Sequence, residues 1–253
     1  MIRLWIDTDV GDDPDDAIAL LFAMAHPDIE VVGVSTVDGD LDRRTRVART
    51  LVDAPVYRGD DPDLGRALTL AAPDALLAIG PLTNVAALAE AGVALPVVTL
   101  MGGVLGTVRH WGASMPVEHN FSRDPAAAAR VLECCAPMIV PLDVTLSMRL
   151  SAAQLGRLLT AAPVLEPSVR AFLDLQRDAG VASEERAVFL HDPLALETLV
   201  DPSVVQVEPL RLAIEPDGRL VEAMDGTVAK VVRAADAPRA IGEILGLIAR
   251  SVG

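Results

Sequence analysis

The chain of 253 residues is poor in lysine, cysteine and aromatic side chains. Lys230 is its only lysine, and 36 acidic residues against 21 basic ones give a formal net charge of −15. Such a surface repels phosphate groups, so we expect neither a nucleic acid polymer nor a membrane as a partner. The two cysteines, Cys134 and Cys135, are too few for a disulfide framework, and we expect buried thiols in a reducing compartment.

Long apolar runs are also absent. No stretch reaches the about 18 residues that a membrane-spanning helix needs, and the first ten residues lack an apolar leader, so we expect a cytoplasmic protein. Hydrophobic residues make up 51% of the chain and aromatic residues only 3%. The core must therefore consist mainly of alanine, leucine, valine and isoleucine, and this apolar content excludes a disordered chain.

Short apolar runs alternate with helical patterns over most of the chain. They predict strands at 2–6, 29–35, 75–79, 97–101 and 138–142, with helices between them at roughly 15–25, 43–53, 82–91 and 125–134. This alternation favours one α/β domain over residues 1–253, with an open, mainly parallel sheet flanked by helices. Later residues predict short strands at 204–214, 220–224 and 227–232 and a closing helix at 238–250.

Three Asp-Pro pairs predict helix starts. Asp13, Asp124 and Asp192 each precede a proline, and an aspartate can cap free N–H groups while proline suits the first helical position. Ser151 is predicted to cap a further helix.

The most unusual segment follows the first predicted strand. It holds six aspartates within ten positions: Asp7, Asp9, Asp12, Asp13, Asp15 and Asp16. One or two acids at a helix start are ordinary caps, but six like charges cost stability unless a cation neutralises them. Oxygen ligands favour Ca²⁺ or Mg²⁺ over zinc. The segment does not match an EF-hand, because a strand precedes it and Gly11 stands where a ligand should be.

Three further segments follow predicted strands or open a predicted helix. They are Gly80-Pro81-Leu82-Thr83-Asn84, Met101-Gly102-Gly103 followed by Glu118-His119-Asn120, and His191-Asp192-Pro193. Each alone has an ordinary explanation as a turn, a set of backbone contacts or a helix cap. In open parallel sheets, however, ligands bind beyond the carboxyl ends of the strands, which is where the acidic segment and the first two of these lie.

Together these segments resemble the nucleoside hydrolases, the inosine–uridine nucleoside N-ribohydrolase family. Their order and approximate spacing agree from residue 2 to residue 199, and Leu142-Asp143-Val144-Thr145 adds a match. The resemblance implies Ca²⁺ at the strand ends and hydrolysis of ribonucleosides to ribose and free base in nucleoside salvage. It also implies a homodimer or homotetramer.

The resemblance assigns a role to individual residues. Its metal ligands would be Asp9, Asp16, Asp192 and the Ile79 backbone carbonyl, with Asp13 in reserve. Asp9 also resembles the base that takes a proton from water.

The substrate ligands follow from the same resemblance. His191 resembles the histidine that helps the departing base, and Asp15, Glu118 and Asn120 resemble ribose contacts. Asp40 stands where the family has the asparagine of Gly-Asn. The loop residues His110 and Trp111 are expected to meet the nucleobase, Trp111 by stacking or else as a lid on apolar surface.

The chain departs from the family pattern in three places. Two extra residues separate Gly11 from Asp15, Asp40 replaces the usual asparagine, and the segment 58–74 is short and lacks a His-Gly motif. The sequence therefore leaves open whether the base is a purine, a pyrimidine or nicotinamide.

The chemistry of glycoside hydrolysis agrees with these residues. Cleavage of a ribosyl C–N bond passes through a sugar with oxocarbenium character, which nearby carboxylates stabilise. A cation can fix the ribose hydroxyls and acidify the attacking water, and Asp9 can take the water's proton.

Two other functions remain open from sequence. A haloacid dehalogenase-type phosphatase would use Asp7 as nucleophile and Asp9 as acid, but its usual lysine is missing, since Lys230 falls in a late strand. A non-catalytic Ca²⁺- or ribose-binding protein of the same fold is the second alternative.

Overall fold

The computed structural model describes residues 1–251. Its strands are β1 Ile2–Thr8, β2 Ile29–Thr36, β3 Val56–Arg58, β4 Ala75–Ala78, β5 Val97–Met101, β6 Val108–His110, β7 Ala113–Met115, β8 Met138–Val140, β9 Val205–Ile214, β10 Leu220–Glu222 and β11 Thr227–Ala235. Its helices are α1 Pro14–Ala25, α2 Leu41–Leu51, α3 Leu64–Ala71, α4 Thr83–Glu90, α5 His119–Arg123, α6 Pro125–Cys135, α7 Leu142–Thr145, α8 Ala152–Ala161, α9 Glu166–Asp178, α10 His191–Val200 and α11 Ala237–Ser251.

Nine strands form one sheet in the order β10-β9-β11-β8-β5-β4-β1-β2-β3. Every pair of neighbouring strands from β11 to β3 is parallel. At the other edge, β9 pairs antiparallel with β11, and β10 pairs antiparallel with β9. The predicted α/β class with an open, mainly parallel sheet is thereby confirmed. Because β5, β4, β1 and β2 are neighbours, the loops after their carboxyl ends meet at one edge.

Both faces of the sheet are covered by helices. One buried cluster joins the sheet to α1, α10 and α11, and a second joins it to α4 and α6. Nearly every residue of α1 from Pro14 to Ala23 is buried, because this helix contacts the sheet, α10 and α11. The described residues include no helix that is long and apolar enough to span a membrane.

The predicted elements occur within a few residues of their expected bounds. The sequence did not predict helices α3, α5, α7 and α9, strand β3 or the β6–β7 hairpin. β3 is a three-residue edge strand, too short to give a periodic signal. The β6–β7 hairpin turns at Trp111 and Gly112, whose φ angles are 51° and 72°. Two consecutive positive φ angles define a tight hairpin turn, for which a tryptophan gives no sequence signal.

The helix caps were mostly predicted correctly. Asp13 and Asp124 accept hydrogen bonds from the first turns of α1 and α6, and Ser151 forms a capping box on α8. The prediction that Asp192 is a cap is wrong, because α10 already begins at His191 and Leu190 takes the cap position. The Asp192 carboxylate therefore lies in the first turn, free of a capping role.

The prediction that both cysteines are buried is also wrong. Cys134 is exposed and Cys135 half-buried, because both lie in the last turn of α6, beyond its last buried residue, Leu132.

Candidate active site

The loop after β1 turns sharply to present acids at the start of α1. The Thr8 hydroxyl donates to the Asp16 carboxylate and accepts from the Val10 backbone N–H, which ties the loop to the helix. Asp13 accepts a hydrogen bond from the Asp15 N–H at 3.3 Å. Gly11, at a φ of 138°, provides a backbone angle that other residues avoid. Asp15 and Asp16 consequently lie side by side at the edge of the sheet.

A cluster of three buried carboxylates forms where α1 packs against α10. Asp15, Asp16 and Asp192 each place one oxygen within 4.8 Å of the others. Burial, followed by repulsion from neighbouring aspartates, raises the pKa of each carboxyl well above its usual value. Three such groups cannot all ionise at low cost unless a cation joins them. The donor set, all carboxylate oxygen, fits a hard divalent cation.

Asp9 lies beside this cluster and has a different partner. Its Oδ2 is 3.6 Å from the Arg44 guanidinium of α2. Burial raises the pKa of Asp9 to about 6, although the Arg44 charge opposes this shift. Asp9 is therefore a buried carboxylate with a single neighbouring cation, separate from the group of three.

Asp7 is buried away from the other acids. It accepts hydrogen bonds from the Ser35 hydroxyl and, at 2.8 Å, from the Asn84 amide. Asp7 does not line the cavity described below, and Lys230 is exposed on β11. The arrangement that a phosphatase would need, an accessible Asp7 with a lysine nearby, is absent from residues 1–251.

Glu118 and Asn120 are held by backbone groups at the ends of β4 and β5. The Glu118 carboxylate accepts from the N–H groups of Asn120 at 2.8 Å, Gly103 at 2.9 Å and Phe121 at 3.2 Å. The Asn120 amide donates to the Met101 carbonyl at 3.1 Å and, more weakly, to the Ile79 carbonyl at 3.4 Å. Both side chains are therefore rigidly oriented. Burial raises the pKa of Glu118 to about 7, against the effect of its backbone donors.

Aromatic and imidazole rings form the other end of the site. A 2.7 Å hydrogen bond joins Nδ1 of His191 and the Thr145 hydroxyl, and the His191 ring stacks on Phe189, with ring centroids 5.3 Å apart. His110 meets His191 edge to face at 6.0 Å, and Trp111 packs against Phe172 at 5.6 Å. Burial lowers the pKa of His191 to about 3, so this imidazole is neutral at physiological pH.

These two ends belong to one cavity of about 590 Å³. The predicted site residues on its wall are Asp9, Asp13, Asp15, Asp16, Ile79, His110, Trp111, Glu118, Asn120, His191 and Asp192. Asp40 is the exception, since it is exposed and accepts the Arg43 N–H at 3.0 Å as the N-cap of α2.

Three cavity residues carried no signal in the sequence. Phe172, Leu175 and Ala179 come from α9 and its end, and they cover the aromatic side of the cavity. The spacing of these residues is that of an ordinary amphipathic helix. Only the position at which α9 packs identifies this helix as part of the site. Arg44 and Thr145, which hold Asp9 and His191, were likewise not predicted.

Comparison with known proteins agrees with this geometry. The chain matches the family of inosine-uridine preferring nucleoside hydrolases over residues 4–75 and 66–241. The non-specific ribonucleoside hydrolase RihC of Salmonella agona is 28% identical, over 86% of this chain and 85% of its own. The pyrimidine-specific ribonucleoside hydrolase RihA of Salmonella schwarzengrund is 27% identical, over 88% of this chain and 87% of its own.

A solved structure has the same fold. The purine-preferring ribonucleoside hydrolase of Gardnerella vaginalis is similar with a TM-score of 0.82 at 21% identity, covering 98% of both chains.

The α/β fold and the acidic cavity thus agree with the fold of the nucleoside hydrolases. The chain belongs to the inosine-uridine preferring nucleoside hydrolase family, and it is an enzyme acting on N-glycosyl bonds. The predicted family and enzyme class are confirmed, and the phosphatase alternative is wrong.

Proposed function

We propose that this protein uses Ca²⁺ to hydrolyse the N-glycosidic bond of ribonucleosides, releasing ribose and the free base. The observation that carries this proposal is the meeting of Asp15, Asp16 and Asp192 at one end of a cavity whose other end is aromatic. A nucleoside has the same two-part character, with hydroxyls on the sugar and a flat apolar base.

The proposed calcium ligands are Asp9, Asp16, Asp192 and the Ile79 carbonyl, with Asp13 in reserve. Ca²⁺ accepts six to eight oxygen ligands in flexible geometry, which suits a cavity with this many carboxylates. Asp15 belongs to the same buried group and is available to both the ion and a ribose hydroxyl. When bound, the ion would supply a fixed positive charge that orients ribose hydroxyls and acidifies a water molecule.

Asp9 acts as the base in this proposal. Its carboxylate lines the cavity beside the other proposed calcium ligands, where it can take a proton from a water molecule. The surrounding carboxylates favour the positive charge that develops on the ribosyl ring as the C–N bond breaks.

Ribose binding is assigned to Asp15, Glu118 and Asn120. Because Glu118 and Asn120 are already held by backbone hydrogen bonds, they lose little freedom when the sugar binds. Asp40 has no part in this assignment, since it faces solvent as a helix cap.

The nucleobase is assigned to the aromatic end of the cavity. Trp111 and Phe172 offer flat faces, while His110 and His191 offer ring nitrogens toward a departing base. Since Thr145 engages Nδ1 of His191, Nε2 is the nitrogen left for the substrate. Relatives include pyrimidine-specific, non-specific and purine-preferring enzymes, so their names favour no particular base.

The oligomeric state and the metabolic role follow from the family resemblance, and the cytoplasmic location is the expectation from sequence. We propose a cytoplasmic homodimer or homotetramer in nucleoside salvage, for which light scattering during size-exclusion chromatography measures the oligomeric state.

A substrate panel tests the proposal. Release of reducing sugar is measured with inosine, adenosine, uridine, cytidine and nicotinamide riboside, both with calcium and with a chelator. Release of p-nitrophenol from p-nitrophenyl phosphate is measured under the same conditions. Calcium-dependent ribose release from at least one nucleoside supports the proposal. Sugar release that survives exhaustive chelation would overturn the calcium requirement, and binding without turnover of any nucleoside would overturn the proposed reaction.

A further inference from the structure

Arg44 lies buried directly behind Asp9, although it is not on the cavity wall. Only 6% of this residue is exposed. Its Nη2 lies 3.6 Å from Asp9 Oδ2 and 3.1 Å from Asp12 Oδ2, while its Nε donates to the Asp38 carbonyl at 2.8 Å. A charged side chain this deeply buried is costly unless nearby anions offset the lost hydration.

The turn after β2 is shaped to receive this guanidinium. Asp38 and Gly39 both have φ angles of 61°, and this left-handed turn points the Asp38 carbonyl at Arg44. A side chain at Gly39 would place its Cβ 3.4 Å from Arg44 Nη2, at the limit of close contact. Arg44 is thus held by backbone geometry on one side and by carboxylates on the other.

The second oxygen of Asp9 is confined by Gly80. A Cβ at Gly80 would lie 3.0 Å from Asp9 Oδ1 and 2.7 Å from a methyl group of Val37. Oδ2 of the Asp9 carboxylate therefore faces Arg44, and Oδ1 faces the backbone at Gly80. Rotation of the carboxylate would break the contact with Arg44 or collide with the chain.

We propose that Arg44 is a positioning residue: its guanidinium orients Asp9 and acts as a fixed counter-charge to the acidic cavity. This inference rests on the proposed function. It predicts two effects of opposite sign. A permanent positive charge beside the acids weakens binding of a divalent cation, yet it also holds Asp9 in the orientation needed for turnover.

Replacing Arg44 separates these effects from simple packing. In Arg44→Met, calcium should bind about tenfold more tightly, because the loss of a repelling charge outweighs the looser orientation of Asp9, one of several oxygen ligands. At saturating calcium, kcat should fall by between about tenfold and a hundredfold, because Asp9 is no longer oriented, whereas KM should change little. Arg44→Lys keeps the positive charge but loses the planar guanidinium. It should therefore show wild-type calcium affinity with a reduced kcat.

Arg43→Met is the matched control. Arg43 is the next residue of α2 and also pairs with Asp12, at 2.7 Å, but its side chain is half exposed and it forms no ion pair with Asp9. This variant should retain the calcium affinity and kcat of the wild type. Calcium affinity is measured by titration calorimetry on chelator-treated protein, and folding by circular dichroism and melting temperature with and without calcium.

Unchanged or weaker calcium binding in a folded Arg44→Met variant would overturn the inference, as would an unchanged kcat. If that variant does not fold, Arg44→Lys decides: wild-type kcat in it refutes the orienting role. Failure of the proposed function is a separate result, because the wild type itself would then bind no calcium or release no ribose.

Discussion

Because we propose that Ca²⁺ joins the three buried carboxylates, removing calcium should lower the melting temperature of this protein. Without a cation, Asp15, Asp16 and Asp192 repel one another in a buried group where none is easily hydrated. A ligand at about 100 times its Kd stabilises the folded state by about 2.7 kcal/mol. For a chain of this size each kcal/mol moves the melting temperature by about 2–4 °C, so saturating calcium should raise it by about 5–10 °C.

Asp192→Asn makes this prediction sharper. The substitution removes one ligand and one repelling charge, so the variant should lose most of its response to calcium. Its calcium-free form should melt at a higher temperature than the calcium-free wild type, because one buried like-charge contact is gone. A surface acid in a turn, Asp225, is the control, since Asp225→Asn should keep the full response.

The assay is calorimetric or fluorescence-monitored unfolding of chelator-treated protein at neutral pH, with calcium added in steps. A wild-type melting temperature that does not respond to calcium would refute the assignment of the acid cluster as a cation site. So would an undiminished calcium response in Asp192→Asn.

Three further predictions concern single side chains. Asp9→Asn should lower kcat by several powers of ten, each about 1.4 kcal/mol of barrier, because it removes the base and one calcium ligand together, while the melting temperature of the calcium-free protein changes little. Near-normal turnover would contradict its role as base. If Trp111 stacks on the base, Trp111→Ala should reduce kcat/KM unevenly across purine and pyrimidine nucleosides, with Trp111→Phe as the milder control. A small uniform loss would indicate that Trp111 is a lid. Burial and the neighbouring Glu243 raise the pKa of Glu197, in α10, to about 8. The free energy of unfolding therefore decreases as the pH rises from the ordinary glutamate pKa of 4.5 to about 8. Glu197→Gln should therefore unfold at higher temperature than wild type at alkaline pH and show almost no gain in acid; equal gains at both pH values would contradict this.

Much of the site was predictable because its residues are consecutive or nearly so. An aspartate-rich loop directly after a strand must lie at the carboxyl end of that strand, and β1 holds it there. Glu118 and Asn120 are two residues apart, so a single short helix start orients both. Caps such as Asp13 and Ser151 were predicted for the same reason, since their bonds span only two or three residues.

What only tertiary structure decided is which distant groups meet. The family resemblance implied that Asp192 joins Asp16, but nothing local to His191-Asp192-Pro193 specifies that contact, which forms because α10 packs on α1. Asp40 matches a family position but caps its own helix, while Arg44, one turn later, reaches Asp9. Apolar periodicity thus predicted most strands and several helices from sequence alone, and hydrogen bonding between near neighbours predicted most caps. Helix packing brings Arg44 to Asp9 and places Phe172 over the aromatic end of the cavity. Local sequence patterns carry no information about such contacts.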